Sequence, residues 1–200
     1  MTPALARAAA ELIGTIACVL LAATPALAEK MVFTLDTKQS EVRIILGATL
    51  HTVDGRAALE PATFTWDTDS GSASGRAVVQ ASRLRTGIDA RDQKMREDVL
   101  RSALHPEIVF EATGFELRQS GAEKLRFVLK GNLSLLGVSH EIELETHAHL
   151  RPDKSWKARA DLNVPYVQWG LTDPSLPLFS VEKHVTVEVK AVGSLEREAP

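Results

Sequence analysis

Two histidines separated by one residue are the strongest candidate for metal chemistry in this sequence. Side chains two residues apart point the same way on a β-strand, so His147 and His149 would present both imidazoles on one face. A working zinc site needs a third ligand and hydrogen-bonded support around the ligands. No other histidine has a spacing that would bring it to this pair. We therefore interpret both as solvent-exposed side chains and predict no metal site.

Three aspartates and one small-residue segment are the remaining candidates for catalytic chemistry. Asp89, Asp92 and Asp98 could act in general acid–base catalysis, but helix capping and surface pairing explain them better. A nucleophilic serine is expected on a G-x-S-x-G turn, whereas residues 71–75 read Gly-Ser-Ala-Ser-Gly. Neither a P-loop nor a G-x-G-x-x-G motif occurs. The sequence predicts no catalytic residue, no cofactor and no enzymatic activity.

The first 28 residues have the pattern of a secretion signal. Arg7 precedes an apolar run over residues 12–23, and Ala26-Leu27-Ala28 supplies the small-x-small pattern that signal peptidase recognises. The run is too short to span a bilayer stably. We predict export, cleavage after Ala28 and one domain over residues 29–200, with an uncleaved anchor as the alternative. The only cysteine, Cys18, lies in the removed segment, which excludes thiol chemistry from the mature chain.

The charge balance argues against a nucleic-acid partner. The chain carries 23 lysines and arginines against 26 aspartates and glutamates, a net charge of −3 at pH 7. Binding to nucleic acid requires an excess of positive charge that neutralises phosphates, and this composition has none.

Short stretches of alternating apolar and polar residues dominate the chain after residue 29. The alternation is clearest over residues 142–150, 156–164 and 185–191, and turn-forming residues separate such stretches. The pattern predicts eight to ten strands, each with one buried face and one wet face. An all-β fold, a closed antiparallel β-barrel of about eight strands, satisfies it without leaving strand edges exposed. An open two-sheet sandwich is the alternative.

Residues 89–102 interrupt this alternation and predict one short helix. Met95, Val99 and Leu100 fall on one helical stripe, and Asp89 is suited to cap the helix N-terminus. We expect the helix to pack against one end of the barrel.

The interior of the predicted barrel contains many small side chains. Only 5% of the residues are aromatic, and alanines occupy several inward positions. Barrels of about eight strands either fill their interior or hold one small ligand. An unfilled lumen loses packing contacts that a bound apolar molecule would restore. Helix and loop side chains that plug the lumen are the alternative.

Polarity along the strands predicts which side chains line this lumen. We assign the apolar side of each alternation to the inside, an assignment that a β-bulge would invert. The predicted ligand-binding residues are Val42, Ile44, Leu46, Phe64, Trp66, Val79, Ile108, Phe110, Phe127, Leu129, Ile142, Leu144, Trp156, Ala160 and Leu162.

Several segments resemble the YceI-like family. Residues 91–102 (RDQKMREDVLRS), followed by 105–110 (HPEIVF), are similar to its central signature, and residues 131–140 (GNLSLLGVSH) resemble its G-x-L-x-(I/L)-x-G-v-(S/T) segment. The chain departs from the family in the second strand, where residues 42–47 (VRIILG) lack the usual phenylalanine and histidine. It departs again at residues 55–57 (GRA), which lack the aromatic ring of G-x-F.

The resemblance implies a lipocalin-like periplasmic barrel whose lumen holds a polyisoprenoid such as a prenyl quinone, with no established catalytic residues. We therefore expect a non-catalytic periplasmic carrier of a polyisoprenoid or prenyl-quinone-like lipid, without stable membrane insertion. One alternative is a filled barrel that binds a protein partner through its helix and loops. Another is an enzyme acting on a lipid held in the barrel. The sequence leaves open whether the chain forms a homodimer.

Overall fold

Ten strands form a single antiparallel sheet in the computed structural model, which describes residues 30–49, 51–175, 177 and 180–198. The predicted signal peptide, residues 1–28, lies outside these ranges. The strands are β1 (Lys30–Leu35), β2 (Glu41–Gly47), β3 (Thr52–Ala57), β4 (Thr63–Asp67), β5 (Ala73–Gln80), β6 (Glu107–Ser120), β7 (Lys124–Leu135), β8 (Val138–Leu150), β9 (Trp156–Val164) and β10 (Val185–Arg197).

Eight of these strands close into a ring. They follow the order β1-β4-β5-β6-β7-β8-β9-β10, and β10 pairs again with β1. β1 is hydrogen-bonded to a neighbouring strand on both sides. The ring therefore has no free edge at β1, whereas an open sandwich would have one. The predicted closed antiparallel barrel of about eight strands is confirmed.

Strands β2 and β3 complete the wall at one end of the barrel. The first part of β10 pairs with β2, whereas the last part pairs with β1. β3 pairs with β2, and an isolated bridge between Leu59 and Val79 joins the chain after β3 to β5. At this end β2 and β3 therefore take the places that β1 and β4 hold at the other.

The alternation seen in the sequence decides which face of each strand turns inward. In β8, Ile142, Thr146 and Ala148 are buried, whereas Glu143 and Glu145 between them are exposed. Because successive side chains point to opposite faces of a sheet, burying the apolar face fixes the strand register. The interior of the barrel is consequently apolar and its outer wall is charged.

The predicted short helix is confirmed, but it is shorter and differently capped than expected. Helix α1 (Asp89–Lys94) continues as a π-helical turn over Met95–Val99 and does not reach residue 102. The expected N-cap role of Asp89 was wrong, because Ile88 holds the cap position without a side-chain hydrogen bond. Asp89 is instead the first helical residue, where its negative charge complements the helix dipole.

The helix packs against the end of the barrel that β2 and β3 complete. Met95 and Val99 from the helical segment pack onto a buried apolar cluster that includes Leu84, Leu135 and Tyr166. We call this the helix end and the opposite one the far end. No helix in the described ranges is both long enough and apolar enough to cross a membrane.

Candidate ligand-binding cavity

The barrel encloses a cavity of about 800 Å³ that inward-facing side chains of all ten strands line. This volume lies in the range of pockets that hold small-molecule ligands, roughly 300 to 1,000 Å³. On β9 the lining residues run from Trp156 to Val164, a distance of about 26 Å along a strand. With strands tilted as in other barrels, the cavity extends roughly 20 Å along the axis. The lumen is therefore long and narrow, and its own side chains leave it unfilled.

All fifteen residues that the sequence analysis assigned to the lumen lie on the cavity wall. They come from β2, β4, β5, β6, β7, β8 and β9, so the structure brings together positions more than a hundred residues apart. These residues are Val42, Ile44, Leu46, Phe64, Trp66, Val79, Ile108, Phe110, Phe127, Leu129, Ile142, Leu144, Trp156, Ala160 and Leu162.

Small side chains leave this cavity open. Ala77, Ala148, Ala158 and Ala160 face it from three strands, where larger residues would fill the space. The two segments that depart from the family pattern also contribute to this wall, through Val42, Ile44, Leu46, Gly55 and Ala57.

Three aromatic rings cluster toward the far end of the barrel. The ring centroids of Trp66 and Phe115 lie 5.2 Å apart, and those of Phe115 and Phe127 lie 5.0 Å apart. Phe115 is buried behind the cavity wall, against Trp66 and Phe127, and it follows a register shift of β6 between Ala112 and Gly114. This bulge moves the odd-numbered Phe115 to the inner face that Phe110 occupies before it.

Sequence reasoning missed several residues of the wall. Residues of β1, β3 and β10, and two further residues of β7, alternate in the sequence but were not assigned to the lumen, and the contribution of the loops carried no periodic signal. Among the lining residues missed in this way are Phe33, Leu35, Val53, Leu84, Leu125, Leu133, Val187, Val189, Tyr166 and Leu171.

The cavity opens at the helix end. Thr49, His51, Ala90 and Lys94 line the cavity and are also solvent-exposed. Thr49 and His51 follow β2, and the other two belong to α1. We call these four residues, together with Arg91, a partly buried residue of α1 that also lines the cavity, the mouth.

A buried aspartate and an arginine fix the helix at this mouth. Asp92 is only 2% exposed and accepts hydrogen bonds from the amide and the hydroxyl of Thr86. Arg91 Nε donates to the same hydroxyl at 2.7 Å, and its Nη2 donates to the Thr86 carbonyl at 2.8 Å. The interpretation of Asp92 as a surface-paired residue was wrong, because its carboxylate turns inward to this loop.

The protonation of Asp92 follows from these contacts. Burial by itself raises the pKa of a carboxyl group, but the hydrogen bonds from Thr86 and the nearby charges of Arg85 and Arg96 outweigh it, so the pKa of Asp92 lies below its usual value. The carboxylate is therefore ionised at neutral pH and serves as a fixed anchor for the loop before α1.

A buried tyrosine holds the loop on the opposite side of the helix end. The Tyr166 hydroxyl donates to the Glu182 carbonyl at 2.7 Å and so joins the turn after β9 to the segment before β10. Burial, together with the negative charge of Asp173, raises the pKa of Tyr166 to about 12. Tyr166 also lines the cavity, and its hydroxyl is committed to this structural contact.

The residues first considered for catalysis do not converge on the cavity. His147 and His149 are exposed positions of β8 on the outer wall, and Asp89 and Asp98 are exposed on the helical segment. Within the described ranges, no group of three His, Cys, Asp or Glu side chains is placed to hold a metal ion. The arrangement of the cavity suits binding by shape and apolar contact.

A closed antiparallel barrel with an apolar lumen that opens at one end defines the class of small ligand-binding β-barrels. Within this class the chain belongs to the YceI-like domain family, which it matches over residues 33–193. The resemblance seen in the sequence is thereby confirmed. None of the curated proteins matches the chain.

Two solved structures show the same fold. BcnA of Burkholderia cenocepacia superimposes with a TM-score of 0.65 at 14% identity, covering 80% of this chain and 99% of that one. A polyisoprenoid binding domain from Saccharophagus degradans, implicated in plant cell wall breakdown, superimposes with a TM-score of 0.62 at 16% identity, covering 84% and 98%. At such identities the likeness establishes the fold alone.

Proposed function

We propose that this protein is a non-catalytic carrier that binds a long polyisoprenoid, or a similarly apolar lipid, in the barrel lumen. The observation that carries the proposal is the long cavity of about 800 Å³, whose wall consists mainly of aliphatic and aromatic side chains, with contributions from every strand. Membership in the YceI-like family and the fold shared with a polyisoprenoid binding domain support it.

The energetics of apolar burial favour such a ligand. Each buried methylene contributes about 0.8 kcal/mol, so one five-carbon isoprene unit contributes roughly 4 kcal/mol before ordering costs. Immobilising a flexible chain takes back part of this gain, yet a few buried units suffice for tight binding. Because the lumen offers few polar partners, it would select ligands by length and width. A prenyl quinone satisfies these requirements, and the fifteen lining residues named above would contact its chain.

We further propose that the protein works in the periplasm. Residues 1–28 would direct export and be removed after Ala28, which suits a carrier that meets lipids at a membrane surface without crossing it. The alternative of a filled barrel that binds a protein partner agrees less well with the structure, since the lumen is unfilled.

The direct test is to identify what the native protein carries. We would purify the mature protein from the envelope of its own cells, extract it with organic solvent and analyse the extract by mass spectrometry. The expected result is one prenyl lipid in near-stoichiometric amount. The absence of lipid from the extract, combined with a failure of the purified protein to take up prenyl alcohols in solution, would overturn the proposal.

A further inference from the structure

The charged residues that line the cavity are all basic. Among the lining residues that the structure describes there is no aspartate or glutamate, whereas Arg91, Lys94 and Arg159 are present. Arg159 is exposed and lies on β9 between the inward-facing Ala158 and Ala160, so its charge belongs to the outer wall. The charge that faces the lumen therefore comes from α1 alone.

Arg91 presents a rigidly held guanidinium group at the mouth. Its Nε and Nη2 atoms are both held by Thr86, which itself lines the cavity. Its Nη1 makes no hydrogen bond to any residue in the described ranges, so its donors are not committed within this part of the protein. A pre-positioned donor of this kind binds an anion at little entropic cost.

Lys94 lies one helical turn after Arg91, on the same face of the helix. It is exposed at the mouth and forms no ion pair with any residue that the structure describes. A flexible ammonium group beside a fixed guanidinium suits an anion that stays close to solvent.

The acidic residues near α1 do not cancel this charge inside the cavity. Asp92 is buried and engaged by Thr86. Asp89, Glu97 and Asp98 are exposed on the helical segment and do not line the cavity. On the other side of the mouth lie Thr49 and His51, which add polar groups and no negative charge.

We propose that the mouth is a subsite for an anionic head group, so that the preferred ligand is a single-chain lipid ending in a phosphate or a carboxylate. This inference rests on the proposed function, in which the lumen holds the apolar tail. The tail would lie along the barrel axis, and Arg91 Nη1 and Lys94 Nζ would donate to the head group at the helix end. Next to an apolar wall, such charge-assisted hydrogen bonds are stronger than in water.

The test compares ligands that share a tail and differ in the head group. The complete mature chain would first be stripped of lipid. It would then be titrated calorimetrically with geranylgeraniol, with geranylgeranyl phosphate, with geranylgeranoic acid and with inorganic phosphate. We expect the phosphate and the acid to bind at least about tenfold more tightly than the alcohol, the effect of one charge-assisted hydrogen bond. Inorganic phosphate, which has no tail, should give no measurable binding. The preference should also shrink as salt is added.

Two variants assign the effect to the mouth. Lys94→Gln removes an exposed charge without touching the Thr86 contacts, and it should weaken the binding of the two anionic ligands much more than that of geranylgeraniol, which abolishes most of the preference. Lys124→Gln removes an equally exposed lysine at the beginning of β7, at the far end of the barrel, and should change neither affinity.

The outcomes separate this inference from the proposed function. If none of the three lipids binds, the carrier proposal fails together with the head-group subsite. If all three bind equally, or if Lys94→Gln leaves the preference intact, the head-group subsite is wrong while the carrier proposal stands. Binding of inorganic phosphate as tight as that of the lipid phosphate would also overturn the subsite, since it would reveal a bare anion site.

Discussion

The ring of Phe110 on β6 occupies the space that a side chain at Gly131 of β7 would need. A Cβ atom placed on Gly131 would lie 2.7 Å from Phe110 Cε2 and Cζ, and 2.3 Å from the Glu111 carbonyl oxygen. The missing side chain lets this ring lie against the wall of the barrel, where it contributes apolar surface without filling the lumen. The position of this ring on the cavity wall therefore depends on a glycine in the neighbouring strand.

The same relationship occurs at two other places in the wall. A Cβ atom on Gly193 of β10 would lie 2.8 Å from Phe33 Cζ, and one on Gly75 of β5 would lie 2.4 Å from Phe64 Cδ1. In each case the aromatic residue lines the cavity and the glycine belongs to a neighbouring strand. Glycine normally weakens a strand, and here its contribution is the room it leaves for a ring.

Gly131→Ala should destabilise the protein by about 1 to 3 kcal/mol, because both the ring of Phe110 and the backbone of β6 must move. Urea unfolding measures this loss. Gly114→Ala is the matched control on β6, since a Cβ atom there would meet only ordinary contacts at 3.5 Å and beyond; it should leave stability nearly unchanged. Equal stability of the two variants would show that the wall has no close approach at Gly131.

Alternation in the sequence was sufficient to predict the barrel and much of its inner wall. Every predicted lumen residue obeys the period of two within one strand, as Ile142 and Leu144 do in β8, so burial of the apolar face fixes its direction. The strand order required more than this pattern, since β1 and β2 share β10 along its length. No local signal in the sequence encodes that division.

The features that the sequence did not reveal depend on contacts between distant segments. The bulge that turns Phe115 inward is a property of the pairing between β6 and β7. The role of Asp92 depends on Thr86, to which its carboxylate turns, whereas it was expected to face solvent on the helix surface. In the sequence, a glycine within a strand such as Gly131 could equally mark a bulge or a weak strand. Its role becomes clear only from the aromatic ring on the neighbouring strand.

Asp92→Asn should cost about 1.5 to 3 kcal/mol at neutral pH, the usual contribution of a buried charge-assisted hydrogen bond. The pKa of Asp92 is lowered in the folded protein, so its charge stabilises the fold above the carboxyl pKa of the unfolded chain, about 3.9. This contribution is lost as the pH falls through that value toward the folded pKa. Urea unfolding of both proteins from pH 7 to pH 3 measures the difference.

The matched control for Asp92 is the exposed Asp98 of the same helical segment. Asp98→Asn should change stability little at any of these pH values. A constant difference between the wild type and Asp92→Asn across the pH range would contradict the role of the ionised carboxylate.

Tyr166 should titrate with a pKa of about 12 in the folded protein, since burial and the charge of Asp173 both disfavour its ionised form. The chain has one tyrosine, so the change in ultraviolet absorbance that accompanies ionisation of a phenol reports this residue alone. In urea the pKa should fall to the ordinary value of 10.0. Because the folded state holds its proton more tightly, stability should decline as the pH rises from about 10 toward 12. A folded-state pKa near 10 would mean that the hydroxyl is not enclosed against Glu182.

Ala160→Phe should obstruct the lumen and reduce lipid occupancy, because Ala160 is buried on β9 and faces the cavity between β8 and β10. The new ring would enter unfilled space, so the lipid-stripped variant should unfold at a temperature equal to or above that of the wild type. Asn163→Phe places the same ring on the exposed face of β9 and should leave occupancy unchanged. Lipid content per protein, measured by mass spectrometry after identical purification, compares the three proteins. Full lipid occupancy in a stably folded Ala160→Phe protein would locate the lipid outside the lumen, because a long polyisoprenoid chain could not pass the new ring inside the narrow barrel.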